Sequence, residues 1–383
     1  MIYLLYFFII ILITSFVGYP IILSILSFFK STHIIKDDHY RPEVALLIAA
    51  YNEEDGIEEK ILNTLELDYP REKLEVIVVS DGSTDKTDEI VLKYADRGIK
   101  LLRVEGRVGK TEARNQAVLK NKKEIIVFSD ATAIYEKDVI LKMVRNFADK
   151  SVGMVSGNLS YFDKTQGNMS LATKLYWSYE KFIKRSQSRF YSLTGSVGCL
   201  NAFRRELYHV LPANIIEDFT EPLMIISKNY RIVYEEEAKT YERTTQKPSQ
   251  EFKMRVRVIR GGMSGFLYAL KYLKLSKHAY VIFQLILHKV LRWLMPVTLI
   301  GLFITSFFCV FIYENSSYLK FFFMLQVFCY LIGVLGLLVK PRGILGKLLS
   351  FPAYFIIVNA ASLVALYKTL TTKLEATWET NVY

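Results

Sequence analysis

The stretch from Met1 to Phe29, MIYLLYFFIIILITSFVGYPIILSILSFF, contains no charged side chain. Wound as a helix at about 1.5 Å per residue, it exceeds the roughly 20 apolar residues that a bilayer requires. It lacks the basic start and small-residue cleavage site of a secretory signal, so a retained anchor is expected. Three further apolar runs, at 293–313, 319–339 and 349–370, predict about three C-terminal spans, and no comparable run lies between Phe29 and His278. The 383 residues then divide into an anchor over 1–29, a polar domain over 30–277, an amphipathic helix over 278–292 lying along the membrane face, spans within 293–370, and a tail over 371–383.

Charge orients this plan. Lys30, Lys36 and Arg41 follow the first run, and Lys340, Arg342 and Lys347 lie between the third and fourth, whereas the loop from Glu314 to Ser317 has no Lys or Arg. The positive-inside rule then puts the polar domain in the cytosol, expected at a bacterial-type inner or plasma membrane. The formal charge of +11 is spread without a basic tail or an aromatic-studded RNA motif. Anionic lipid head groups and a phosphorylated substrate are therefore the expected partners, and nucleic acid is not. Cys199, Cys309 and Cys329 have no metal-ligand spacing and read as reduced packing residues.

Within the polar domain, VALLIAA (44–50), EVIVV (75–79), IKLLRV (99–104) and IIVF (125–128) read as buried strands. Helical spacing over 56–67, 84–95 and 110–119 separates them, which predicts an α/β domain with a parallel sheet and right-handed crossovers. Ligands of such sheets bind outside the carboxyl ends of the strands, where the loops here read AAYNEED, VSDGSTD, VEGRVGK and FSDAT. Asp81 could be only a turn-and-cap residue. Together with Tyr51, Asn52, Glu53, Lys110 and Asp130, however, it offers acceptors for a base and ribose and cations for a diphosphate at one sheet edge. No GxGxxG follows the first strand, which sets aside a dinucleotide oxidoreductase. Beyond residue 150 the expected elements are a strand over 155–162, a long helix over 171–189, a Gly-rich turn over 194–198 (TGSVG) and a strand over 231–235. Tyr176, Trp177 and Tyr179 read as core.

The ordered series AAYNEE, VVSDGSTDKT, GRVGKTEARN, FSDAT, IIEDF and RVRVIRGG resembles the motifs of membrane-bound, processive-type inverting glycosyltransferases, the group containing cellulose, chitin, hyaluronan and poly-N-acetylglucosamine synthases. The resemblance covers roughly Pro42 to Gly262. It implies a GT-A (Rossmann-like) domain with one N-terminal and about three C-terminal transmembrane helices, a nucleotide-sugar donor, expected to be a UDP-sugar, and Mg²⁺ or Mn²⁺. Asp81 would bind base and ribose, with Tyr51, Asn52 and Glu53 around the same moiety, and Lys110 would approach the diphosphate. Asp130 would hold the cation, with Thr132 standing where the family has a second Asp. Asp218 would be the general base, and Arg257, with Arg255 and Arg260 beside it, would lie near the leaving pyrophosphate. By chemistry alone Glu217 serves as base equally well. Met254 and Val258 stand where the family has Gln and Trp. The aromatic face lost at Val258 weakens a long-chain polymerase and keeps transfer to a polyprenyl-phosphate or other lipid carrier open beside transfer to a glycan or glycolipid hydroxyl. A donor-binding regulator without turnover is the third reading.

Overall fold

The structure, a computed structural model, describes residues 1–162, 171–243, 248–338 and 343–377. Lys340, Arg342 and the last six residues of the expected tail lie outside them. Helices α1 (Ile2–Ile13) and α2 (Tyr19–Phe29) form one rod through a π turn at Thr14–Gly18. Among the described residues four helices are long and apolar enough to cross a membrane: Ile2–Phe29, Met295–Ile312, Ser317–Leu338 and Leu348–Thr371.

Strands β1 (Val44–Ala50), β2 (Leu74–Asp81), β3 (Ile99–Val104) and β4 (Ile125–Asp130) are parallel, as their apolar runs predict. Val44 through Ile48 are fully buried, the signature of a strand covered on both faces. The crossovers are α3 (Ile57–Leu65), α4 (Thr87–Leu92) and α5 (Lys110–Lys120). β2 and β4 each run on to their terminal Asp, which presents Asp81 and Asp130 at the carboxyl edge.

The second half adds β5 (Ile134–Tyr135), α6 (Val139–Val144), β6 (Val152–Phe162), α7 (Leu171–Phe190), β7 (Leu200–Arg204), α8 (Glu217–Ser227) and β8 (Arg231–Arg243). Among the described residues the sheet has eight strands in the order β3-β2-β1-β4-β7-β6-β8-β5. β7, absent from the sequence reading, pairs antiparallel with both β4 and β6 and so joins the two halves. The expected strand over 231–235 continues to Arg243 because it pairs with β6 along its length.

Next come α9 (Pro248–Ala269), α10 (Leu275–Leu285), a π turn at Ile286–Val290, α11 (Leu291–Trp293), α12 (Met295–Ile312), α13 (Ser317–Leu338) and α14 (Gly343–Thr371). The segment over 278–292 packs one face inward and exposes Tyr280, Phe283 and Ile286 on another. His278 and His288 are buried, and Arg292 pairs with Glu180 of α7, because α7 supplies a carboxylate that draws these cations inward. Helix α14 packs along α9 through Val256, Ala361 and Ala365. The chain beyond it returns to the α/β domain, where Arg260 donates to the carbonyls of Thr372 and Lys373 at 3.0 and 2.7 Å.

One turn carries a steric requirement. Gly82 has φ +68°, and a Cβ there would overlap the Gly106 carbonyl. Gly82→Ala is expected to cost about 1–3 kcal/mol, read as a lower unfolding midpoint of the detergent-solubilised protein; an unchanged midpoint contradicts the turn's role.

Candidate active site

At the carboxyl ends of β1, β2 and β4 lies a cleft of ≈ 130 Å³ whose walls include Tyr51, Glu53, Asp81, Lys110, Asp130, Thr132 and Arg257. Both Asp81 oxygens accept backbone N–H groups, from Val108 and Gly109, each at 2.9 Å, and so hold the 105–109 loop against the sheet. The Arg107 guanidinium stands 4.3 Å over the Tyr51 ring, making a flat cationic platform at the mouth. Ala376 and Thr377, beyond α14, close one side. Two predicted residues sit elsewhere. Asn52, at φ 53°, accepts from the Thr84 amide at 2.8 Å and shapes the turn, and Arg260 is committed to the segment after α14.

The floor of the cleft is built by α5. Lys110 at its first turn donates to Asp130 Oδ1 at 2.7 Å. Arg114, one turn on and fully buried, donates to the same oxygen at 2.8 Å, to the Ser129 carbonyl at 2.9 Å, and to Glu217. Thr111 adds a 2.8 Å bond to Glu217 Oε2. The sequence reading missed Arg114; the signal was its i,i+4 spacing from Lys110 in GKTEARN.

This wiring separates the two acids of IIEDF. Burial alone would raise the Glu217 pKa, but Arg114 and Lys110 outweigh it and hold the carboxyl below its usual range. Glu217 is thus an ionised carboxylate committed to Arg114 and Thr111. Asp218 has no side-chain hydrogen bond or ion pair among the described residues, and burial together with the Glu217 charge raises its pKa to about 6. Its backbone carbonyl accepts from the Ser196 amide and hydroxyl at 2.9 and 2.8 Å, and the bare Cα of Gly198 faces its carboxylate. The TGSVG turn therefore packs against this acid.

Asp218 lines a second, larger cavity of ≈ 560 Å³ between the α/β domain and the apolar helices. Thr194, Gly195 and Ser196 line it too, as do Tyr176, Trp177 and Tyr179, which the sequence reading assigned to the core.

Asp130 can serve a cation. Burial opposes its ionisation, but Lys110 and Arg114 prevail and keep its pKa low, so it is a carboxylate at neutral pH. Among the described residues no cluster of three or more His, Cys, Asp or Glu is arranged to hold a metal. One carboxylate with the Thr132 hydroxyl nearby fits Mg²⁺ or Mn²⁺ that takes its other ligands from phosphate and water.

An open α/β sheet with a polar cleft at the carboxyl ends of its strands places a ligand site there. Residues 45–211 match the family model Glycosyl transferase family 2, so this region is a glycosyl transferase family 2 domain of GT-A type. Curated relatives include the poly-β-1,6-N-acetyl-D-glucosamine synthase of Staphylococcus epidermidis, 27% identical over 241 residues, and that of Staphylococcus aureus strain MSSA476, 29% identical over 225. These matches span 61% and 57% of this chain and 58% and 54% of the relatives. The resemblance to processive-type membrane glycosyltransferases is thereby upheld. Among solved structures, the mannosyltransferase PcManGT from Pyrobaculum calidifontis, in complex with GDP-Man and Mn²⁺, shares the fold with a TM-score of 0.73 at 23% identity, over 96% of this chain and 99% of that one. With its four apolar helices, the chain is that of a membrane protein.

Arg114→Met strands Glu217 and Asp130 and is expected to cost about 3–5 kcal/mol of stability, part of which Glu217→Gln in the same chain restores. Chemical denaturation in detergent measures both; an R114M protein as stable as the parent contradicts the assignment.

Proposed function

We propose that the protein is an inverting glycosyltransferase that moves a sugar from a nucleoside-diphosphate sugar, in the first instance a UDP-sugar, to an acceptor hydroxyl in cell-surface polysaccharide or glycolipid synthesis. The catalytic domain faces the cytosol on this reading. The observation that carries it is Asp218: an unpartnered carboxylate with a raised pKa, on the wall of the large cavity and close enough to Lys110 and Asp130 to feel their charges.

In the proposed mechanism the nucleotide lies along the strand ends, its base against the Tyr51 and Arg107 platform and its ribose near Asp81. Lys110 and Arg257 meet the diphosphate. Asp130 and Thr132 would hold Mg²⁺ or Mn²⁺, which supplies charge neutralisation for the diphosphate. Asp218 takes the proton of the acceptor hydroxyl; its oxygen attacks the anomeric carbon from the face opposite the diphosphate, and the carbon–oxygen bond to the diphosphate breaks with its electron pair leaving on the nucleotide. Glu217 holds Arg114 in place and transfers no proton. The curated relatives, synthases of poly-β-1,6-N-acetyl-D-glucosamine, and the solved mannosyltransferase, captured with GDP-Man and Mn²⁺, support a nucleotide-sugar donor and a divalent cation. A regulator without turnover leaves the free Asp218 unexplained.

Because Asp218 acts ionised and its pKa is about 6, kcat/KM is expected to fall as pH drops below about 6 and to level off above it. Asp218→Asn should lower transfer by roughly 10²–10⁴-fold and remove that acid limb. Asp130→Ala should abolish metal-dependent transfer while Thr132→Ala is mild. Purified protein with radiolabelled UDP-sugars and GDP-Man reads all three; absence of transfer and of donor hydrolysis across that panel overturns the enzyme reading.

A further inference from the structure

The large cavity is divided in character. One wall comes from helices apolar enough to span a membrane: Phe16 of the first rod, Met295 at the start of α12, and Phe351, Phe355 and Val358 of α14. Phe351 is 56% exposed, so this apolar end reaches the outer surface of the protein at the level of those helices. The same lining carries four cations, Lys184, Arg255, Lys289 and Arg292, with Glu180 and Asp218 as its carboxylates, and Arg292 stands 5.6 Å from the Phe16 ring.

The pairing of these cations is uneven. Arg292 is held by Glu180, which also lies 3.4 Å from His288, and Arg255 is held by Glu251 at 2.8 Å and the Tyr354 hydroxyl at 2.6 Å. Among the described residues Lys184 and Lys289 have neither an ion-pair nor a hydrogen-bond partner. Two partly enclosed ammonium groups without counterions cost desolvation free energy, which a bound anion offsets. Neutral His288 does not relieve them; burial depresses its pKa to about 3.

We propose that this cavity is the acceptor site and that the acceptor is a membrane amphiphile carrying a phosphate between a lipid tail and a hydroxylated head. The phosphate sits at Lys184 and Lys289, the tail lies against Phe16, Phe351 and Phe355, and the head reaches Asp218. This rests on the glycosyl-transfer reading above. In the transfer the head hydroxyl loses its proton to Asp218, its oxygen bonds to the anomeric carbon, and the nucleoside diphosphate departs with the electrons of the broken bond. A glycerophospholipid and an isoprenoid-linked sugar diphosphate share this chemistry.

The test uses the full chain in a non-ionic detergent. Its binding arm compares short-chain phosphatidylglycerol, anionic with a hydroxylated head, with short-chain phosphatidylcholine by native mass spectrometry. The parent should prefer phosphatidylglycerol by roughly tenfold, a margin that one desolvated ion pair supplies. The K184Q/K289Q protein should lose the preference and the charge-retaining K184R/K289R protein should keep it, which separates charge from misfolding. Equal binding of the two lipids by the parent, or a preference that survives K184Q/K289Q, overturns the proposal. The transfer arm adds radiolabelled nucleotide sugars with phosphatidylglycerol or with a polyprenyl-diphosphate-linked N-acetylglucosamine. Label entering the chloroform phase supports the proposal and identifies the source, and label confined to a water-soluble polymer overturns it. Should no donor turn over, the glycosyl-transfer reading fails while the binding arm still decides what the cavity holds.

Discussion

The buried guanidinium of Arg114 organises the catalytic end of this molecule. A fully desolvated cation is unstable unless each neighbour is an acceptor, and Arg114 finds acceptors on three elements: Asp130 at the end of β4, Glu217 at the start of α8, and the Gly198 carbonyl at 3.4 Å in the turn before β7. One side chain therefore sets the mutual positions of Asp130, the Glu217–Asp218 pair and the TGSVG turn. It also divides labour between adjacent carboxylates. By neutralising Glu217 it leaves Asp218 as the acid without a counterion, which is the condition for a pKa near neutrality.

The rest of the architecture supplies two compartments on either side of that junction. The parallel half of the sheet ends in the smaller cleft, the proposed donor site, whose walls include Asp81, Lys110 and Asp130. The mixed half, with α7, α9 and the apolar helices, encloses the second cavity. Asp218 lines the second and feels the charges of the first, so a sugar held at Asp130 and an acceptor held at Lys184 and Lys289 would meet there. Helix α14 links the compartments: Tyr354 touches Arg255 in the large cavity, while Ala376 and Thr377 beyond its end wall the smaller cleft.

Much of this was legible in the sequence, for identifiable reasons. A parallel strand buried on both faces reads as an apolar run, so β1 to β4 and the polar loops behind them could be placed, and with them Tyr51, Glu53, Asp81, Lys110 and Asp130. The mixed half was not, because LNAFR is too short to show a period and the pairing of β8 with β6 shifts register between Tyr234 and Lys239. Neither burial of Arg114 nor the free state of Lys184 and Lys289 is written in local sequence. Each depends on which carboxylates the fold brings near, and in charged segments such as 278–292 an inward-facing cation looks like a lipid-facing one. The choice between Glu217 and Asp218 needed the same tertiary information.

The most direct test is a structure of the full chain with a nucleoside-diphosphate sugar and Mn²⁺. The account predicts the base against Tyr51, the cation on Asp130, the diphosphate near Lys110 and Arg257, and the anomeric carbon facing Asp218 with open access to the large cavity. A nucleotide bound away from the β1, β2 and β4 ends, or a cation held by Glu217 or Asp218, would contradict it.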